Sequence, residues 1–141
     1  MLALGKRVGK EESLVMAGWH ASKDQLPVEK VGDYEGRLQQ ISDNYYANFE
    51  NIPAGMGGPE LFKGLPDDHC QCEHWGYLFK GRFKFTYTDG SEDVVSAGEA
   101  YYAPPGHVFE ALEDCQTIEF SPKEPFEQLM EVVGKNMEAR G

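Results

Sequence analysis

The sequence predicts an all-β fold, a small barrel or sandwich with one helix at its C-terminal end, and three observations carry that prediction. Short segments rich in aromatic and branched residues recur along the chain, each bounded by Gly, Pro, Asn, Asp or Ser, as strands separated by turns require. One pair of such segments meets at Asp89-Gly90, a strong short-range hairpin signal. Only the final stretch changes period, from alternation to steps of three and four residues. With 141 residues the chain is the size of one domain and can bury a core without disulfide staples.

Taken in order, residues 1–33 show only short apolar clusters and are expected as an N-terminal arm. From Arg37 the segments GRLQQIS and NYYANFENI read as strands separated by a turn at Ser42, Asp43 and Asn44. PAGMGGPELFKGLPDD, dense in Gly and Pro, reads as loop. Phe83, Phe85 and Tyr87 alternate into the Asp89-Gly90 turn, and the chain returns through Val94 and Val95. Two further strands follow, broken at Pro104-Pro105-Gly106 and at Glu113-Asp114, so the sheet runs to about Phe120 and the β-region spans 34–122. In residues 123–141, Phe126, Leu129, Met130, Val133 and Met137 form the apolar stripe of an amphipathic helix with Pro125 near its first turn, packed on the sheet.

Composition excludes several classes of function. Thirteen Lys and Arg against 24 Asp and Glu give a net charge of −11, which disfavours nucleic acid and anionic membranes as partners. No apolar run approaches the roughly 20 residues of a membrane span, and no apolar core follows Lys6, Arg7 and Lys10. A cytoplasmic protein is expected. Three cysteines, two of them one residue apart, do not make a secreted disulfide framework, so Cys70 and Cys72 read as reduced thiols and Cys115 as strand filler.

The chemistry concentrates in DDHCQCEHWGYLFKG, residues 67–81. In extended chain, residues two apart share a face, which groups Asp68, Cys70, Cys72 and His74 and sets His69, Gln71, Glu73 and Trp75 on the other side. Two thiols and an imidazole on one face are a competent set for zinc, iron or copper. A fourth ligand must come from elsewhere, and His107, at a strand start just after Pro104-Pro105-Gly106, is the leading candidate. Two other readings stand beside it: redox chemistry between Cys70 and Cys72, and thiols acting as small buried hydrophobes. His20 alone reads as a structural residue.

The segment from Gly64 to about Pro122 resembles the cupin family, whose motifs are G-x5-H-x-H-x3-4-E-x6-G and G-x5-P-x-G-x2-H-x3-N. The second is matched at Gly98, Pro104 and Gly106, and the first at Gly81. Anchored on Gly81, the first motif puts His74 in the glutamate slot, Cys70 in the second histidine slot and Asp68 in the first; anchored on Gly64, Cys70 and Cys72 fill the two histidine slots. A shift of two leaves the facing unchanged. In the second motif Phe109 stands in the histidine slot and Glu113 in the asparagine slot, with His107 two residues earlier on the same face.

The resemblance implies a cupin-type jelly-roll barrel in which a thiolate-containing set replaces the usual histidines. It implies one transition metal ion per chain, zinc or iron, on Cys70, Cys72, His74 and His107, a small-molecule pocket and a homodimer; a metal-free cupin whose side chains line a ligand pocket is the other outcome. The expected function is then a metal-dependent enzyme on a small organic substrate, or else a module sensing metal, redox state or ligand. No catalytic acid or base is assigned by spacing, the local options being Tyr77, Glu99, Tyr101 and Tyr102, and Trp19 and His20 are expected to cover the barrel mouth or to reach a second subunit.

Overall fold

The structure is a computed structural model, described here for residues 18–140. Nine strands follow in chain order: β1 (Glu29–Val31), β2 (Tyr34–Gln40), β3 (Tyr45–Ile52), β4 (His74–Lys80), β5 (Arg82–Tyr87), β6 (Glu92–Ser96), β7 (Ala100–Ala103), β8 (His107–Ala111) and β9 (Cys115–Pro122). The helix α1 (Lys123–Arg140) comes last. The strands form two antiparallel sheets, one of six in the order β1-β2-β3-β9-β4-β7 and one of three in the order β6-β5-β8.

The expected jelly roll with its C-terminal helix is therefore present, although the sheets do not join into one closed barrel. The Asp89-Gly90 hairpin links β5 to β6, with Gly90 at φ 87°, and β2 turns into β3 where Ser42 Oγ accepts from the Asn44 amide. Phe126, Leu129, Met130, Val133 and Met137 are all buried, as the helical stripe predicts. Two local differences are informative. Residues 29–31, in the stretch expected as an arm, pair with β2 as the outermost strand of the larger sheet; the rest of that expectation, residues 1–17, lies outside the described residues. Residues 71–73 lie outside any strand, between an isolated bridge of Cys70 to His107 and the start of β4 at His74, and the chain before them carries Asp67 and Asp68, both in left-handed conformation (φ 57° and 54°).

The larger sheet is mixed in polarity on its inner face, where Tyr46, Ile52 and Leu78 are also buried. Its inner face carries Tyr34, Asn48, Glu50, Thr117, Glu119 and Ser121, whereas Tyr45, Phe49, Trp75, Tyr77, Phe79, Tyr102, Ile118 and Phe120 share the outer one. Phe79 is 53% exposed and Tyr102 45%. The apolar core instead centres on the smaller sheet, where Phe83 packs against Phe85, Tyr101 and Phe109 at ring-centroid distances of 5.1–5.2 Å, and on the stripe of α1. No helix among the described residues is long and apolar enough to cross a membrane.

Candidate functional site

Cys70, His74 and His107 converge at one end of the space between the sheets, all buried, with their ligand atoms within 4.8 Å of one another. Backbone pairing brings them there. The Cys70 amide donates to the His107 carbonyl (2.7 Å), and the amides of Gly106 and His107 donate back to the Cys70 carbonyl (2.7 and 3.3 Å). The Pro104-Pro105-Gly106 turn thus starts β8 directly opposite Cys70. His74, the first residue of β4, points inward on the large sheet and lies with Nε2 3.5 Å from Cys70 Sγ.

The ring hydrogen bonds suit both histidines to hold a cation. His107 Nδ1–H donates to the Pro104 carbonyl (2.7 Å), which leaves Nε2 as the unprotonated nitrogen. His74 Nδ1 is held by Ser121 Oγ (2.8 Å) and lies 3.5 Å from Glu119 Oε1, again leaving Nε2 toward the cluster. A carboxylate or carbonyl behind each ring is the arrangement that fixes tautomer and orientation in metal sites. Burial pushes both imidazoles down to about 4, for His107 with help from the neighbouring His74, so both are neutral donors at neutral pH. Burial pushes the Cys70 thiol up to about 12, so a cation is what would make it a thiolate there. The donor set of one sulfur and two imidazole nitrogens therefore fits zinc or ferrous iron.

Of the four residues expected as ligands, the structure brings three together. Cys72 is buried on the same side, but its Sγ–H donates to the Glu73 carbonyl (3.3 Å) and it lies outside the cluster. Asp68 and His69 also stay away: Asp68 Oδ1 accepts from the Gly64 amide, and His69 Nδ1 lies 2.6 Å from the Asp67 carbonyl oxygen. Cys115 is buried and donates to the carbonyls of Arg82 and Glu113. Phe109, in the slot of the usual histidine, packs against Phe83.

His74 and His107 also form part of the wall of a cavity of about 90 Å³. Its polar side is Tyr34, Asn48, Glu50 and Glu119; its apolar side includes Met56, Phe62 and Phe85 and the inner stripe of α1, so the helix covers the cavity. Among the described residues no Lys or Arg lines it. Burial raises the Glu119 carboxyl to about 7, and burial together with the nearby Glu119 charge raises Glu50 to about 8.

Each carboxyl is held by a tyrosine that lies over a glycine. Tyr34 Oη donates to Glu50 Oε2 (2.5 Å), reaching across Gly36, the cross-strand partner of Glu50; a Cβ on Gly36 would stand 2.7 Å from that hydroxyl. Tyr101 Oη donates to Glu119 Oε2 (2.7 Å) across Gly76, which pairs with both residues, and a Cβ there would stand 2.4 Å from the hydroxyl and 2.6 Å from the Ile118 carbonyl oxygen. Burial, followed by the adjacent carboxylate, raises both phenols well above their ordinary range, keeping them donors.

Sequence reasoning missed Glu50, Glu119, Tyr34, Asn48 and Ser121. A signal existed: in β3 and β9 the apolar residues Phe49, Ile118 and Phe120 are out of phase with Asn48, Glu50, Thr117 and Glu119, so one face of each strand is polar. Of the local acid/base options, only Tyr101 faces inward. Tyr77 and Tyr102 are on the outer face, and Glu99 accepts from the Ser96 amide. Trp19 and His20 line a groove on that outer face with Tyr45, Phe49, Ile118 and Phe120, away from the cavity.

Fold and site together define a jelly roll with a candidate metal cluster at one end of a covered internal cavity. Solved structures share that architecture: KdgF from Halomonas sp. (20% identity, TM-score 0.59, covering 80% of this chain and 100% of that one), an RmlC-like cupin from Shewanella frigidimarina (16%, 0.56, 78% and 96%) and the polyketide cyclase RemF from Streptomyces resistomycificus (19%, 0.55, 77% and 81%). The chain has the cupin fold. Neither a protein-family profile nor a curated protein sequence matches it.

Proposed function

We propose that this protein is a metal-dependent enzyme acting on a small organic substrate bound in the internal cavity, with one zinc or ferrous ion per chain held by Cys70, His74 and His107. The observation that carries the reading is that two of the three clustered residues, His74 and His107, also line the cavity. Three protein ligands leave a position for substrate, and catalytic sites differ from closed structural ones in that respect. The ion would supply a Lewis acid that polarises a substrate oxygen.

The remaining work falls to the chain. Glu119, its carboxyl pushed up by burial beside His74 and Tyr101, is placed to take or give a proton. Glu50, raised to about 8, is chiefly protonated there and can donate. The stripe of α1 excludes water from the apolar side. That RemF, of similar fold, is named as a cyclase is consistent with enzymatic use of the scaffold.

A sensing module with a saturated shell would need a fourth ligand, and Cys72 lies outside the cluster of Cys70, His74 and His107. The reading includes a cytoplasmic homodimer, for which the outer aromatic face offers an apolar surface. Elemental analysis of the untagged protein tests the metal assignment: close to one zinc or iron per chain is expected, lost in Cys70→Ser and His74→Ala. Full metal content in both variants would refute the ligand set.

A further inference from the structure

The cavity also carries information about the charge of what enters it. Asn48 is 6% exposed and lines the cavity, and its Oδ1 has no hydrogen-bond partner among the described residues. A buried acceptor without a partner calls for a donor. One neighbour repeats the demand: Tyr34 engages Oε2 of Glu50 and leaves its Oε1 for other contacts, whereas Tyr101 engages Oε2 of Glu119 and His74 Nδ1 lies 3.5 Å from its Oε1. Asn48 is the cross-strand partner of Glu119, and Glu50 stands two residues along the same strand, so the three groups form one polar patch. The opposite wall is apolar, with Met56, Phe62, Leu129, Met130, Val133 and Met137.

In the metal-free protein an anionic ligand would meet this patch with no Lys or Arg among the described lining residues to balance it. It would lose its hydration and leave Asn48 Oδ1 without a donor. A hydroxyl can donate its one proton to Asn48 Oδ1, while its carbon skeleton packs on the α1 stripe.

We infer that the cavity selects uncharged molecules with a hydroxyl group on an apolar skeleton, and rejects the corresponding carboxylic acids as anions. This rests on the reading of the cavity as the substrate site, but not on the metal.

The test uses one carbon skeleton with two head groups, 3-methylbutan-1-ol and 3-methylbutanoate. Their binding is measured at pH 8 by saturation-transfer NMR titration to metal-loaded and to chelator-treated full-length protein. The alcohol should bind about tenfold more tightly than the anion in the chelator-treated form, as one charge-free hydrogen bond against an unpaired acceptor implies. Asn48→Leu should weaken the alcohol by several-fold, and Glu50→Gln should narrow the gap by strengthening the anion. Equal or tighter binding of the anion in the chelator-treated form overturns the inference, as does failure of both probes to bind protein carrying one metal per chain. Alcohol preference in protein that takes up no metal would uphold the inference while removing the metal-enzyme reading.

Discussion

Replacing Glu50 with Gln should make the protein more resistant to unfolding at alkaline pH and leave it nearly unchanged at mildly acid pH. Glu50 is forced toward its protonated form by burial and by the Glu119 charge, from an ordinary value of 4.5 to about 8. A carboxyl raised on folding binds its proton more tightly in the folded state. Its stabilising share is complete below the unfolded value, falls as pH rises, and levels off above about 8. Each unit is worth about 1.4 kcal/mol, so the stretch from pH 5.5 to 8 corresponds to a loss on the order of 3 kcal/mol in the native protein. Glu50→Gln keeps the size of the side chain and an oxygen for the Tyr34 hydroxyl but cannot ionise. Urea unfolding of both proteins at pH 5.5, 7 and 8, with chelator present, would show the gap in favour of the variant widening with pH. The histidines titrate alike in both proteins and cancel. A gap that is constant across pH, or that shrinks toward pH 8, would refute the argument that burial holds this carboxyl protonated.

Other expectations follow from the same geometry. Gly76→Ala should destabilise by roughly 3 kcal/mol, because its Cβ would run into both the Tyr101 ring and the Ile118 backbone, and a drop in the thermal midpoint reads it directly. Gly36→Ala should cost clearly less, since its closest contact is the hydroxyl end of Tyr34, which can swing away; a loss as large as that of Gly76→Ala would contradict this contrast. His107→Ala should empty the metal site while Phe109→Ala leaves it filled, the comparison being made by elemental analysis of protein reconstituted with zinc. Dilution through the micromolar range in sedimentation experiments should separate two copies joined by the aromatic outer face, and Phe79→Glu should leave a monomer at all concentrations.

The strands and the helix were legible because their signals are local. Asp89-Gly90 makes a hairpin with Phe83, Phe85 and Tyr87 before it, and the Phe126 to Met137 stripe has no reading other than a helix face. Cys70, His74 and His107 were legible as ligand types, and the alternation that groups Cys70, Cys72 and His74 persists in their burial even where the ladder is absent. The distance of Cys72 from the cluster was not legible, because facing fixes the side of a chain on which a thiol lies but not how far it reaches. Nor were Glu50 and Glu119. Each is an ordinary acidic residue in its own strand, and only the pairing of β3 with β9, residues far apart in sequence, sets them on one inner face beside Tyr34 and Tyr101.

The reciprocal backbone bonds between Cys70 and His107 have a consequence for how the protein could be handled. In small metal-folded domains the ion organises the chain, and stripping it dissolves the structure. Here the segment that carries the sulfur and the strand that carries one imidazole are tied by their own amides, so the approach of these two groups belongs to the polypeptide. An ion seated there could be withdrawn and replaced with the fold intact, and the element recovered with the protein would then record its most recent surroundings rather than the conditions of its synthesis.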